Sequence, residues 1–143
     1  MTENIIQNQI RLLAFKAVHV EFSCKDKPSQ EESEPKFELK LGDLIFQDNP
    51  NLFAKVFSIT LVAPSGLQKE VVRYIVEYHT VFECSNSVDE NFLKSEFAKI
   101  SAPAIGFPYV RAFMSTLSLQ AGLPPIILPS INFVQFSKER DTK

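Results

Sequence analysis

Few side chains in this sequence belong to the types that make and break bonds. The two histidines, His19 and His79, each have a glutamate two residues away, Glu21 and Glu77. A His–Glu pair can do acid–base work. Both pairs fall on alternating segments, at positions read as outer strand faces, where an exposed histidine is the ordinary outcome. Cys24 and Cys84 show no metal-ligand spacing, and reduced thiols are the expectation for a cytoplasmic chain. The four glycines are dispersed, so there is no phosphate-cradling loop, and no G-x-S-x-G stands anywhere. Arg111, near a helix start, suits either an anion or a structural bridge at an interface. The sequence therefore assigns no catalytic residue, no metal ligand and no cofactor.

The elements that would carry these residues follow from periodicity. At 143 residues one compact domain is expected, and a net charge of −2 argues against a nucleic-acid partner. No apolar run approaches the ~18 residues of a membrane span, and the N-terminus has neither the basic nor the apolar part of a secretory signal, so a cytoplasmic location is expected. Ile6, Ile10, Leu12, Ala14, Val18, Val20 and Phe22 share one strand parity, while Leu13, Phe15 and Ala17 intrude on the other and suggest a partner subunit there. Residues 25–36, KDKPSQEESEPK, form a charged segment without large apolar side chains, read as a mobile loop. Phe37, Leu39 and Leu41 alternate with Lys36, Glu38 and Lys40 as a second strand, and Leu44, Ile45 and Phe46 follow Gly42-Asp43. Residues 52–62 are apolar on both faces and read as a central strand. Residues 69–84 form a fourth strand, with Val72, Tyr74, Val76, Tyr78 and Phe82 inward and Arg73, Glu77, His79 and Glu83 outward.

Ser87-Val88-Asp89-Glu90 matches a capping box, predicting a helix over about 89–100. Ser101-Ala102-Pro103-Ala104 breaks it before a second helix. Four strands and then helices make an α+β pattern: an antiparallel meander with helices on one face. The last residues, 137–143, read as a polar tail.

Residues 107–133 organise the chain. Val110, Phe113, Met114, Leu117 and Ala121 trace one helix face, with Pro108 in the first turn and Gly122 as the stop. Arg111 is the only charge on this helix. A helix so poor in charge is expected to have a second protein surface against it. Beyond Gly122, the segment LPPIILPSINF is too proline-rich for helix or central strand, yet Leu123, Ile126, Ile127, Leu128 and Ile131 are large and apolar. It reads either as a loop covering the core or as the wall of a groove for extended apolar peptide. The excess of phenylalanine, thirteen with no tryptophan, fits a core and also exposed aromatic surface.

Phe107-Pro108-Tyr109-Val110-Arg111, then Gly122, Pro124, Leu128, Pro129, Asn132 and Phe133, resemble the C-terminal half of the bacterial export chaperone family SecB. The combined pattern is fairly specific. Upstream the match is one of strand layout. The resemblance implies an ATP-independent holdase that binds unfolded or extended polypeptide, assembled as a homotetramer, a dimer of dimers. It places the low-charge helix at the interfaces, which gives Val110, Phe113, Met114 and Leu117 as expected interface residues, beside Leu13 and Phe15 from the intruding positions of the first strand. The client groove is expected between the second strand and the Pro-rich segment, with Phe37, Leu39, Leu41 and Phe46 on one side and Ile126, Ile127 and Leu128 on the other. The family docks the export motor ATPase, SecA, through acidic residues of the outer sheet face, which here reduce to Glu21, Glu77 and Glu83. Lys16, Ala17 and His19 dilute that patch, and the family's acidic tail is replaced by SKERDTK. Those departures fit a chaperone dedicated to one client, as in toxin–antitoxin modules. The reading from a different class is a ligand-binding or hot-dog-type thioesterase-like enzyme, whose long helix ordinarily lies between strands and not after them.

Overall fold

The structure is a computed structural model that describes residues 10–26, 36–66 and 70–141. The charged loop lies almost wholly outside the described residues, as do Ile6 and the last two residues of the tail. Four strands, β1 (Ile10–Asp26), β2 (Lys36–Ile45), β3 (Leu52–Pro64) and β4 (Glu70–Cys84), form one antiparallel sheet in the order β1-β4-β3-β2. The meander runs through β2, β3 and β4, and β1 closes the sheet beside β4. Helices follow: a single turn α1 (Glu90–Leu93), a π-helical turn (Phe97–Ser101), the long α2 (Ala102–Gln120) and α3 (Phe133–Asp141).

The intruding residues of β1 have a local cause. Its register against β4 slips between Leu12 and Ala14 and again between Ala17 and His19. Each bulge inserts one residue and reverses the side-chain parity beyond it. Phe15 therefore pairs with Thr80 and Ala17 with Tyr78, whose side chains point to the helix-covered face. Phe15 is not on the outer face as expected; its ring stacks on Tyr109 of α2 at 4.6 Å. Leu13 and Val18, the bulged residues, stay exposed.

Two apolar clusters hold the helices to the sheet. The larger joins Phe57, Ile59, Tyr74, Val76 and Tyr78 to Val110 and Met114 of α2. The smaller packs Phe53 and Phe82 against Val88, Ala98 and Ala102, with Phe92 and Phe97 at its margin. Most of the phenylalanine excess is thus consumed internally, in runs such as Phe57–Phe107–Phe133–Phe136. Phe15 and Phe22 are the exceptions, exposed on β1.

The helix boundaries differ from the sequence reading. Asp89, not Ser87, caps α1, its carboxylate accepting the Phe92 N–H at 2.8 Å. The main helix begins at Ala102, with Pro103 in the first turn and Pro108 inside it. Val110 and Met114, expected at a subunit interface, are fully buried against their own sheet, while Phe113 and Leu117 pack partly on the same core. Gly122, at φ 81°, ends the helix as expected. The polar stretch from Ser137 to Asp141 is the second half of α3, not a tail.

Candidate functional site

The arm of residues 123–132 is built by one residue of α2. Ser118 is fully buried. Its carbonyl accepts the Leu123 N–H at 2.9 Å, while the Gly122 N–H reaches Leu119 O at 3.0 Å, the paired bonds of a Schellman stop. Its hydroxyl donates to Ser115 O at 2.9 Å and accepts the Ile126 N–H at 2.9 Å. Prolines 124, 125 and 129 have no amide to offer. Among the described residues, the Ile126 N–H is the one amide of 124–131 with a protein hydrogen-bond partner. The arm is pinned at Ser118 and Leu128, then ends where Asn132 caps α3 by accepting the Val134 and Gln135 N–H groups at 3.1 and 3.3 Å.

Removing the pin has a defined cost. Ser118→Ala leaves the Ile126 N–H without an acceptor, which is expected to lower stability by about 1–3 kcal/mol. Urea denaturation measures it, and an unchanged midpoint would mean that the arm does not depend on this hydroxyl.

The expected groove residues divide. Leu41 and Leu128 are core, at 7% and 2% exposure, and offer almost no surface to a client. Burial follows because β2 and the arm close over the same apolar cluster. Phe37, Leu39 and Ile126 are half-buried at its margin. Phe46 is half-buried beyond the end of β2, and Ile127 stands 80% exposed. The open concavity beside the arm lies toward α2 and not toward β2. It is a groove of about 300 Å³ where Ile126, Ile127 and Leu128 face Pro108, Arg111, Ala112 and Ser115.

The outer sheet face carries the carboxylates. Glu83 is bound to Arg11, opposite it on β1, at 2.9 Å. Glu77 contacts His79 at 2.8 Å and pairs in register with His19, which itself lies 3.4 Å from Glu21. The three glutamates share a face, each beside a basic or imidazole group. Sequence reading missed Lys55, which lies on the helix-covered face of β3, almost fully buried, with its ammonium 2.9 Å from Asp43. Its signal was a lysine at the parity of Phe53 and Phe57. Burial pushes the phenols of Tyr74 and Tyr78 and the thiol of Cys84 above their ordinary values, as expected for core groups that stay neutral.

A four-stranded antiparallel sheet followed by a long helix and a proline-rich arm is the frame on which comparison becomes informative. Residues 2–143 match the family described as preprotein translocase subunit SecB. The chain belongs to the SecB family. A protein-export protein SecB from Magnetococcus marinus is 31% identical over 102 residues, 71% of this chain and 64% of that protein. An uncharacterized protein from Methanocaldococcus jannaschii is 34% identical over 118 residues, 80% of this chain and 73% of that protein. Against the SecB of Methylococcus capsulatus the match spans 63% of the relative, so the chain covers just under two thirds of these export proteins. Among solved structures, the fold is similar to a SecB-like chaperone from Mycobacterium tuberculosis, solved in complex with a ChAD peptide from the HigA1 antitoxin. That likeness has a TM-score of 0.65 at 15% identity, covering 85% of this chain and 90% of that one.

Within this SecB-family frame, β1 is the exposed apolar element. Leu13, Phe15, Val18, Val20 and Phe22 are all exposed along one sheet edge, continuous through Phe15 with Tyr109 of α2. The free face of α2 also carries Ala112, Thr116 and Leu119. No described helix is long and apolar enough to cross a membrane.

Proposed function

We propose that this protein is an ATP-independent holdase that binds unfolded or extended polypeptide in the cytoplasm, without enzymatic activity, as a homo-oligomer. The observation that carries this reading is the arm. Three prolines and the Ser118 pin hold it extended, and Ile127 is presented to solvent at 80% exposure with no client bound. A surface already in its binding conformation avoids the ordering cost of capture. Unfolded chains expose apolar side chains, and burying them against Ile127, Ile126, Phe37 and Leu39 is favourable by about 25 cal/mol per Å² with little sequence preference. Repeated sites on an oligomer add avidity. The antitoxin-peptide complex of the structural relative supports polypeptide as the ligand class.

Of the two forms of this reading, the outer face favours a client-dedicated chaperone over export delivery. Glu83 is engaged by Arg11, leaving Glu21 and Glu77 as a reduced acidic patch among His19, Lys16 and His79 for docking SecA. The thioesterase-like alternative has no support from the element order, since α2 follows the whole sheet.

The test is suppression of aggregation of an unrelated unfolded protein, followed by light scattering without nucleotide. Wild type is expected to suppress it. Ile127→Ser, a change on the surface, should weaken client binding about tenfold or more, from the ~1.5–3 kcal/mol of burying an isoleucine, with melting temperature and oligomer unchanged. A wild-type protein that leaves aggregation untouched overturns the proposal.

A further inference from the structure

The face of the sheet away from the helices has a basic end. Ser23, Arg73, Val62 and Lys36 stand in register across all four strands, and Lys25 follows Ser23 on the same face of β1. Lys25, Arg73 and Lys36 are exposed, and with the hydroxyls of Ser23 and Thr60 they line a concavity of about 300 Å³. Among the described residues, none of the three cations has a carboxylate within ion-pair distance. The carboxylates of the next row are engaged elsewhere: Glu38, which also borders the concavity, lies 3.7 Å from Lys40, and Glu21 lies 3.4 Å from His19. Three like charges thus converge on one concavity of a chain whose net charge is −2. The face lies opposite α2, and a copy paired along the β1 edge extends the sheet in its own plane, so both modes of assembly leave it open.

We infer that this row docks a short acidic segment of a partner polypeptide, held extended and bound through carboxylates at alternate positions. Arg73 and Lys36 stand two strands apart, roughly 10 Å between backbones, a spacing suited to several carboxylates and not to one. Alternate side chains of an extended peptide point the same way and lie roughly 7 Å apart, within reach of long basic side chains, so the recognised pattern is acidic-x-acidic. A longer polyanion such as a nucleic acid is disfavoured, because the rows beyond carry Glu38, Glu21 and Glu77 and the chain as a whole is acidic. The row lies on the opposite face of the sheet from the arm, and its occupant is independent of the holdase reading.

The experiment uses two labelled ten-residue peptides, one carrying Glu-x-Glu-x-Glu and one Gln-x-Gln-x-Gln in the same Gly-Ser background. Each is titrated with the full-length protein by fluorescence anisotropy at low salt. Wild type is expected to bind the Glu peptide about tenfold more tightly, roughly twofold from each of three exposed ion pairs. A chain of net negative charge repels that peptide elsewhere, so a preference for it must be local. The ratio should fall toward one as salt rises, a readout that stands even where a variant fails to fold. Arg73→Glu combined with Lys36→Glu should erase the ratio and create a preference for a Lys-x-Lys-x-Lys peptide, with the oligomeric state as in wild type. Ile127→Ser, on the arm, should leave the ratio unchanged. Equal wild-type affinity for the Glu and Gln peptides overturns the docking row, as does a ratio that is insensitive to salt, survives the double reversal or is lost in Ile127→Ser. Glu31, Glu32 and Glu34 precede Lys36 in the sequence. A preference that emerges only when these three are changed to Gln assigns the row to the chain's own carboxylates and overturns the partner. Suppression of aggregation is measured separately, so the docking row and the holdase reading can fail one without the other.

Discussion

Replacing Gly106 with valine is expected to destabilise the fold by about 3 kcal/mol or more, with a loss of roughly 10 °C in melting temperature. Gly106 lies inside α2 where the helix crosses β4 and β3 most closely. A Cβ built there would stand 2.8 Å from Thr80 Oγ1, 2.9 Å from Thr80 Cγ2 and 3.0 Å from Phe57 Cε2. None of these atoms has room to withdraw. Thr80 is fully buried, with its hydroxyl lacking a hydrogen-bond partner, and Phe57 is packed on Phe107. Valine adds two further methyl groups to the clash, so α2 would have to lift from the sheet and loosen Phe107, Val110 and Met114.

Gly106→Ala separates this effect from helix propensity. Alanine is favoured over glycine in a helix by about 1 kcal/mol, so a helix with space around it would gain stability. Here the sign should reverse, with alanine less stable than wild type in urea denaturation at fixed protein concentration. An alanine variant as stable as wild type, or more so, would show that α2 does not approach the sheet this closely.

The alternation of β2, β3 and β4 was legible because period-two patterning survives wherever one face is buried, and the same holds for the antiparallel sheet followed by helices. β1 was not read correctly. Two bulges each add a residue, and a pattern that counts by two cannot see them until the register against β4 is known. The start of α2 was misplaced because Pro108 looks like a first-turn proline; Pro103 fills that role, and the burial of Ala102, Gly106 and Phe107 extends the helix back past Pro108. The aspartate of α1 competed with a serine for one cap, and only geometry separates them. In the arm, composition identified an apolar extended segment but not which side chains turn inward. Leu128 and Ile127 are neighbours of the same type with opposite fates, decided by the Ser118 bond to Ile126 two residues earlier.

Lysine at both bulged positions of β1, Leu13→Lys with Val18→Lys, is expected to reduce an oligomer to single chains. The two free edges of the sheet are unlike. β2 carries Lys36, Glu38 and Lys40, the charged side chains that keep an edge from pairing. β1 is 17 residues long and, between the charges Arg11, Lys16 and Glu21, exposes Leu13, Phe15, Val18, Val20 and Phe22, with no proline to block a neighbour. A long apolar edge of this kind is stable in water only when covered, and a second copy of the same edge is the simplest cover. Leu13 and Val18 belong to neither apolar cluster, so their replacement should leave the protomer's melting behaviour nearly intact. In a two-fold interface each substitution acts twice, removing four apolar side chains. At roughly 1.5–3 kcal/mol for each one fully buried, even partial burial gives a loss of more than a hundredfold in association. Multi-angle light scattering at micromolar concentration should report a multiple of the chain mass for wild type and one chain mass for the double variant. A monomeric wild type would remove the assembly from the proposal. An unchanged oligomer in the double-lysine variant would move it to another surface, leaving the exposed row on β1 to be covered by something other than this chain.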